Sequence, residues 1–131
     1  MGLVVRSNFT KEAIAQKLEQ PLKKNKNYQM SLYVAKANKL ISKDSKTRQK
    51  SNYNSPAVIR LWGVNHKCET EELLFESQPI DSAEWRKLDI EFTPQIQHKH
   101  LMIEAFFSKI KDEPYNGHVL LDNISPIIEI K

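Results

Sequence analysis

The feature that most restricts what this chain can fold into is a strict two-residue alternation of apolar and polar side chains that recurs along its length. In "YQMSLYVAKA", Met30, Leu32 and Val34 fall on one side and Gln29, Ser31, Tyr33 and Ala35 on the other. "AVIRLWG" sets Ala57, Ile59 and Leu61 against Val58, Arg60 and Trp62, and "LMIEAFF" sets Leu101, Ile103, Ala105 and Phe107 against Met102, Glu104 and Phe106. "KLDIEFTP" opposes Leu88, Ile90 and Phe92 to Asp89, Glu91 and Thr93, then stops at Pro94, which has no N–H for a ladder. Period two is the signature of half-buried strands, so the chain reads as an all-β antiparallel sandwich, with "HVLLDNI" and "PIIEIK" as closing strands. "KEAIAQKLEQPL" has helix-forming composition, and Asn8 or Thr10 could cap it. We read it as a strand with Ile14, Gln16 and Leu18 in phase, because a lone helix would interrupt the pattern.

At 131 residues and 40% hydrophobic composition, one domain can bury a core without metal or disulfide. The single cysteine, Cys68, leaves the redox compartment undecided. Three glycines are too few for a Rossmann fingerprint or a Walker A loop, which argues against nucleotide chemistry. The sequence has no run of 18 apolar residues, so no membrane insertion is expected. The +4 charge is concentrated in "KANKLISKDSKTRQK", Lys36 to Lys50. That segment reads as a solvated loop or as a contact surface for an acidic partner, and nucleic acid is not the expected partner.

Taken together, "IAQKLEQPLKKNKNYQMSLYVAK", "PAVIRLWG", "LLFESQPIDSAEWRKLDIEFTP" and "YNGHVLLDNI" resemble the galactose-binding-like jelly rolls, in particular carbohydrate-binding modules of the family 4/9 type. The likeness runs from about Ile14 to Ile128. It implies a noncatalytic accessory module for a polysaccharide or glycan, attached to other domains of a larger bacterial protein that is secreted, periplasmic or at the cell surface. It also implies a further strand before "GLVVRSN", so that residues 1–131 are one module of a longer chain. Trp85 resembles the family's core-sealing tryptophan. The resemblance places a structural calcium at Asp122; other cofactors are not expected.

Sugar recognition needs flat apolar surfaces for the C–H faces of a pyranose, flanked by groups that satisfy hydroxyls. Strand phase nominates Tyr33, Arg60, Trp62, Glu104 and Phe106 as one such face, with Gln16 as an added amide and Tyr115 and His118 at the rim. Two readings stay open for these residues. They form a ligand surface, or Trp62 and Phe106 pack beneath a loop while Arg60 and Glu104 make a cross-strand ion pair. The second reading corresponds to a structural or protein-binding adhesion module. Asn116 with Gly117 reads as a turn, since both tolerate positive φ. Asp122 has three roles open to it: a hydrogen-bonded residue at the seam of the sandwich, a calcium ligand, or a catalytic acid, for which sequence supplies no partner at working distance. His98 and His100 share a face if extended, and His66, Cys68, Glu69 and Glu71 cluster near a loop. Neither set has structural-zinc spacing.

Overall fold

The computed structural model describes residues 1–37, 41–44, 47–52, 55–108 and 114–130. In chain order its strands are β1 (Gly2–Val5), β2 (Ala13–Leu22), β3 (Asn27–Lys36), β4 (Ile41–Lys43), β5 (Lys50–Asn52), β6 (Ala57–Val64), β7 (Thr70–Glu76), β8 (Arg86–Phe92), β9 (His98–Phe107), β10 (Gly117–Asp122) and β11 (Ile128–Ile130). No helix occurs among the described residues. From Ala13 onward the "KEAIAQKLEQPL" segment is β2, as period two indicates.

Two antiparallel sheets form a sandwich. One is five-stranded, running β1-β10-β3 with β11 and β8 also on β3. The other is four-stranded, in the order β2-β9-β6-β7. Strands β10 and β11 share one edge of β3, meeting it at Tyr33–Lys36 and Asn27–Gln29. Between them the chain leaves the ladder at Asn123 (φ 54°) and is held by Ser31 N–H on Ser125 Oγ and Ser125 N–H on Ser31 O, both 2.8 Å. β4 and β5 form a separate hairpin.

The alternating apolar positions meet between the sheets. Leu32, Ile90, Val119 and Leu121 from the five-stranded sheet join Ile59, Leu61, Leu101, Ile103 and Ala105 from the other in one buried cluster. Hydrophobic burial of these side chains, about 1.5–3 kcal/mol each for the larger ones, is the main stabilising term. Tyr115 seals one end. Its hydroxyl donates to Pro56 O and accepts from Ser108 N–H, and its ring lies edge-on to Phe107 at 5.4 Å. Burial pushes its phenol pKa up.

Two close approaches explain two glycines. Gly117 is not a positive-φ turn residue, contrary to the reading of Asn116–Gly117; it opens β10, where an added Cβ would stand 2.5 Å from Ser55 O. At Gly63 an added Cβ would stand 2.3 Å from the ring of His98, which is fully buried and held by Glu71 and Glu72.

Candidate ligand face

Across the four-stranded sheet, the registered pairs align outward side chains into rows perpendicular to the strands. One row reads Ala13, Glu104, Arg60, Glu76; the next reads Ala15, Met102, Trp62, Leu73. On the far side of that second row lies the row Lys17, His100, Val64, Thr70, in which Val64 is buried. Rows are about 7 Å apart along the strands, and four strands make each row roughly 14 Å long. The Ala15 to Leu73 row is therefore an apolar strip between a charged row and a mixed one, with Met102 buried within it and Trp62 half-buried. Its ends are open, for Ala15 is exposed and Leu73 is 42% exposed.

Polar contacts fix the rings of this face. The Trp62 indole N–H donates to Glu104 Oε1 at 3.1 Å, and Lys11 Nζ lies 3.6 Å from Glu104 Oε2. Glu104 is 5% exposed, so removing its partners would leave a carboxylate desolvated at a cost of several kcal/mol. Arg60 Nε donates to Glu76 Oε1 at 2.6 Å, and its guanidinium sits 3.7 Å from the centroid of Phe106. Lys11 Nζ covers the same ring at 4.5 Å. The cross-strand pair anticipated between Arg60 and Glu104 is thus replaced: Arg60 takes Glu76, and Glu104 takes the indole and Lys11. Trp62 and Phe106 are half-buried, neither covered over nor fully open.

At the loop end of the sheet, Phe9 is 59% exposed at φ 73°, a backbone region in which a bulky side chain is an outlier. Its loop is pinned by Arg6 on Glu12 at 3.0 Å, by Arg6 N–H on Thr10 O and by Phe9 N–H on Arg6 O. The Phe9 ring stands 5.1 Å from Phe107, itself 5.6 Å from Phe106.

Arg60, Trp62, Glu104 and Phe106 do share one face. Tyr33 does not: it belongs to β3 and points away from the core on the outside of the other sheet, paired with Asp122 and Lys87. Gln16 is in phase with Ile14 and Leu18 and opposite inward-facing Leu101. It lines a cleft of about 1050 Å³ between the sheets, beside Leu18, Ile103 and Ile127, rather than the ligand face. Tyr115 is a buried corner residue. His118 lies on the outside of the five-stranded sheet, paired with Val4.

Asp122 ends β10 exposed, with Oδ1 accepting the N–H of Asn123 at 2.8 Å. Among the described residues no group of three or more His, Cys, Asp or Glu side chains is placed to hold a metal ion. Trp85 is 49% exposed and does not seal the core. Of the basic segment, Lys39 and Lys46 lie outside the described residues, as does the side chain of Lys43; Arg48 and Lys50 are exposed. Sequence reasoning missed Lys11, which lies in a loop, and Leu73, which a register shift in the β6–β7 ladder brings opposite Trp62.

No protein-family model and no curated protein matches the sequence. Solved structures do. A CBM4 domain superposes with a TM-score of 0.55 at 6% sequence identity, over 90% of this chain and 73% of that one. The CBM22-1 xylan-binding domain from Paenibacillus barcinonensis Xyn10C gives 0.49 at 15% identity, over 84% of this chain, which spans 59% of that chain's length. A family 16 carbohydrate-binding module gives 0.45 at 15%, over 89% and 69%. At such identity the CBM4 likeness shows the fold: the jelly-roll sandwich of carbohydrate-binding modules.

Proposed function

We propose that this jelly roll is a noncatalytic carbohydrate-binding module that lays a polysaccharide chain across the outer face of its four-stranded sheet. The observation that carries the reading is the transverse row Ala15, Met102, Trp62, Leu73, bordered on one side by Glu104, Arg60 and Glu76 and on the other by Lys17, His100 and Thr70 about the buried Val64. An apolar strip of roughly 14 Å offers Trp62 to the C–H face of a sugar, while the borders supply donors and acceptors for its hydroxyls. The carboxylates of this face are committed to rings and cations: Glu104 to Trp62 and Lys11, Glu76 to Arg60. They support the platform rather than stand as an acid–base pair with room for water between them. The reading needs no cofactor. It places the module in a secreted or cell-surface bacterial protein alongside other domains, which the solved carbohydrate-binding modules of the same fold favour.

Native affinity electrophoresis through soluble β-glucan and xylan tests the proposal. Wild-type protein is retarded by at least one polysaccharide, and Trp62→Ala loses about tenfold or more in affinity, while Trp62→Phe loses less. If the wild type runs freely in every gel, the alternative of a structural or protein-binding spacer replaces sugar binding.

A further inference from the structure

We infer that the protein has a second glycan-binding surface, on the outside of the five-stranded sheet, built on Trp85 and Tyr33 and suited to a neutral polysaccharide. Register places Asp122, Tyr33 and Lys87 in one row across β10, β3 and β8, with Ser31 and Asp89 in the row below. Val34 pairs with Arg86, and Trp85 immediately precedes Arg86 at the end of that ladder, where the chain turns off so that Lys36 N–H meets Ser82 O. Lys87 and Asp89, two apart on β8, share the outward face with Tyr33, and the 49%-exposed Trp85 stands just beyond the start of that strand. The phenol therefore lies on the opposite side of the sandwich from Trp62, and the exposed indole at the margin of the same sheet completes the surface we infer.

The exposed indole is mounted on a fixed segment rather than on a loose one. The chain leading to it is held by Lys36 N–H on Ser82 O at 2.7 Å, by Lys36 Nζ on Asp81 at 3.2 Å and by Glu84 N–H on Ser82 Oγ at 3.2 Å. A half-exposed tryptophan held in this way offers a rigid ring at little further ordering cost on binding. Around the rings stand an ammonium (Lys87), carboxylates (Asp89, Asp122) and a hydroxyl (Ser31), the mixture of donors and acceptors that sugar hydroxyls use. Lys87 Nζ is 3.7 Å from Asp89 Oδ1, so its charge is already offset. With Glu91 also on this face, one cation stands against three carboxylates among the described residues that β3, β8 and β10 pair there, and like-charge repulsion disfavours acidic glycans. The ligand class is thus a neutral, polyhydroxylated chain.

Two faces on opposite sides of one sandwich make the module bivalent, so its retention by a polymer exceeds that of either face alone. This surface stands independently of the one around Trp62, and the same experiment separates them. Wild type, Trp62→Ala, Trp85→Ala, Trp85→Ala with Tyr33→Ala, and the combination of Trp85→Ala with Trp62→Ala are run in native gels cast with soluble β-glucan or xylan. Circular dichroism checks folding, and Trp85, being exposed, can be replaced at little cost in stability. The expected result is that Trp85→Ala weakens retardation by threefold or more, and that a residual shift in Trp62→Ala disappears when Trp85→Ala is added. Wild-type retardation of Trp85→Ala, together with complete loss in Trp62→Ala, would overturn this surface and leave the first standing. Loss in Trp85→Ala with none in Trp62→Ala would do the reverse. Free migration of the wild type in both polysaccharides sinks both.

Discussion

His118 shows how a single residue can look functional in sequence and take a structural place. By sequence it is a rim candidate, because with Tyr115 and Asn116 it falls near the end of the same sheet as the ligand face. In the fold it lies against the five-stranded sheet, close enough that a Cβ on Gly2 would stand 2.0 Å from its Nε2. Its Nδ1 is buried without a hydrogen-bond partner among the described residues. Burial lowers its pKa from 6.5; Glu12 acts in the opposite direction, and the N-terminal amine adds to the lowering. A depressed folded pKa means that the unfolded chain binds the proton first. The stability due to neutral His118 is therefore complete above pH 6.5 and is lost as pH falls through the folded value, at no more than about 1.4 kcal/mol per pH unit. Urea unfolding from pH 7.5 to 5 should show this slope, and His118→Asn should flatten it. Equal slopes in both proteins would rule the assignment out. What sequence did reveal at this scale is that Arg60 and Trp62 share one side of their strand and Glu104 and Phe106 one side of theirs; the pairing of β6 with β9 brings those sides together. Tyr33 shows the limit: alternation tells which side of its own strand a residue takes, not which sheet the strand joins.

Among the elements, β7 carries the least legible feature. Its ladder with β6 shifts register between Gly63 and Val64, so Glu71 is passed over between the pairs Gly63 with Glu72 and Val64 with Thr70. Regular pleating would send consecutive residues to opposite faces; a bulge re-aims them. Both glutamates consequently reach the buried His98, Glu72 Oε1 at 2.7 Å from Nε2 and Glu71 Oε1 at 3.4 Å from Nδ1. Period-two counting cannot anticipate this, because the shift arises from pairing with β6 rather than from β7 itself. Burial alone would raise the Glu72 carboxyl, but hydrogen bonds from His98 and from the backbone of Gln95 and Ile96 outweigh it and hold its pKa below 4.5. Here too stability is present above the unfolded pKa and lost as pH falls through the folded one, in a window below pH 4.5 and therefore distinct from that of His118. Glu72→Gln should flatten the acid limb of the unfolding free energy below pH 4.5 while leaving the limb between pH 7.5 and 5 intact. If the acid limb keeps its wild-type slope, another carboxylate is responsible.

For the molecule as a whole, the pairing of the two sheets decides where each strand's faces end up. The all-β class, the closing strands and the strand reading of β2 all followed from alternation, because burying one side of a sheet forces period two. Which inward-phased positions are sealed did not follow, since that depends on how far the sheets close. Gln16 is the case in point. Its phase is that of the core, yet it is exposed, because the β2–β9 ladder shifts register between Lys17 and Leu22 and the sheets part there into the cleft of about 1050 Å³. Its neighbour Ala15 has the opposite phase and stands at the open end of the row through Met102, Trp62 and Leu73. Ala15 also borders the cleft, but its side chain takes the outward phase, so these adjacent residues present their side chains to opposite sides of β2. Ala15→Glu puts a charged, longer side chain into the strip, where it obstructs the ligand and brings a carboxylate that must lose its water; polysaccharide affinity should fall about tenfold, roughly 1.4 kcal/mol. Gln16→Ala removes an amide that faces between the sheets, and affinity should stay within about twofold. Both positions are exposed, so stability changes of about 0.5 kcal/mol or less are expected, and isothermal titration with the polysaccharide that retards the wild type reads the difference directly. A loss in Gln16→Ala matching that in Ala15→Glu would place the ligand in the seam between the sheets and not on the outer face.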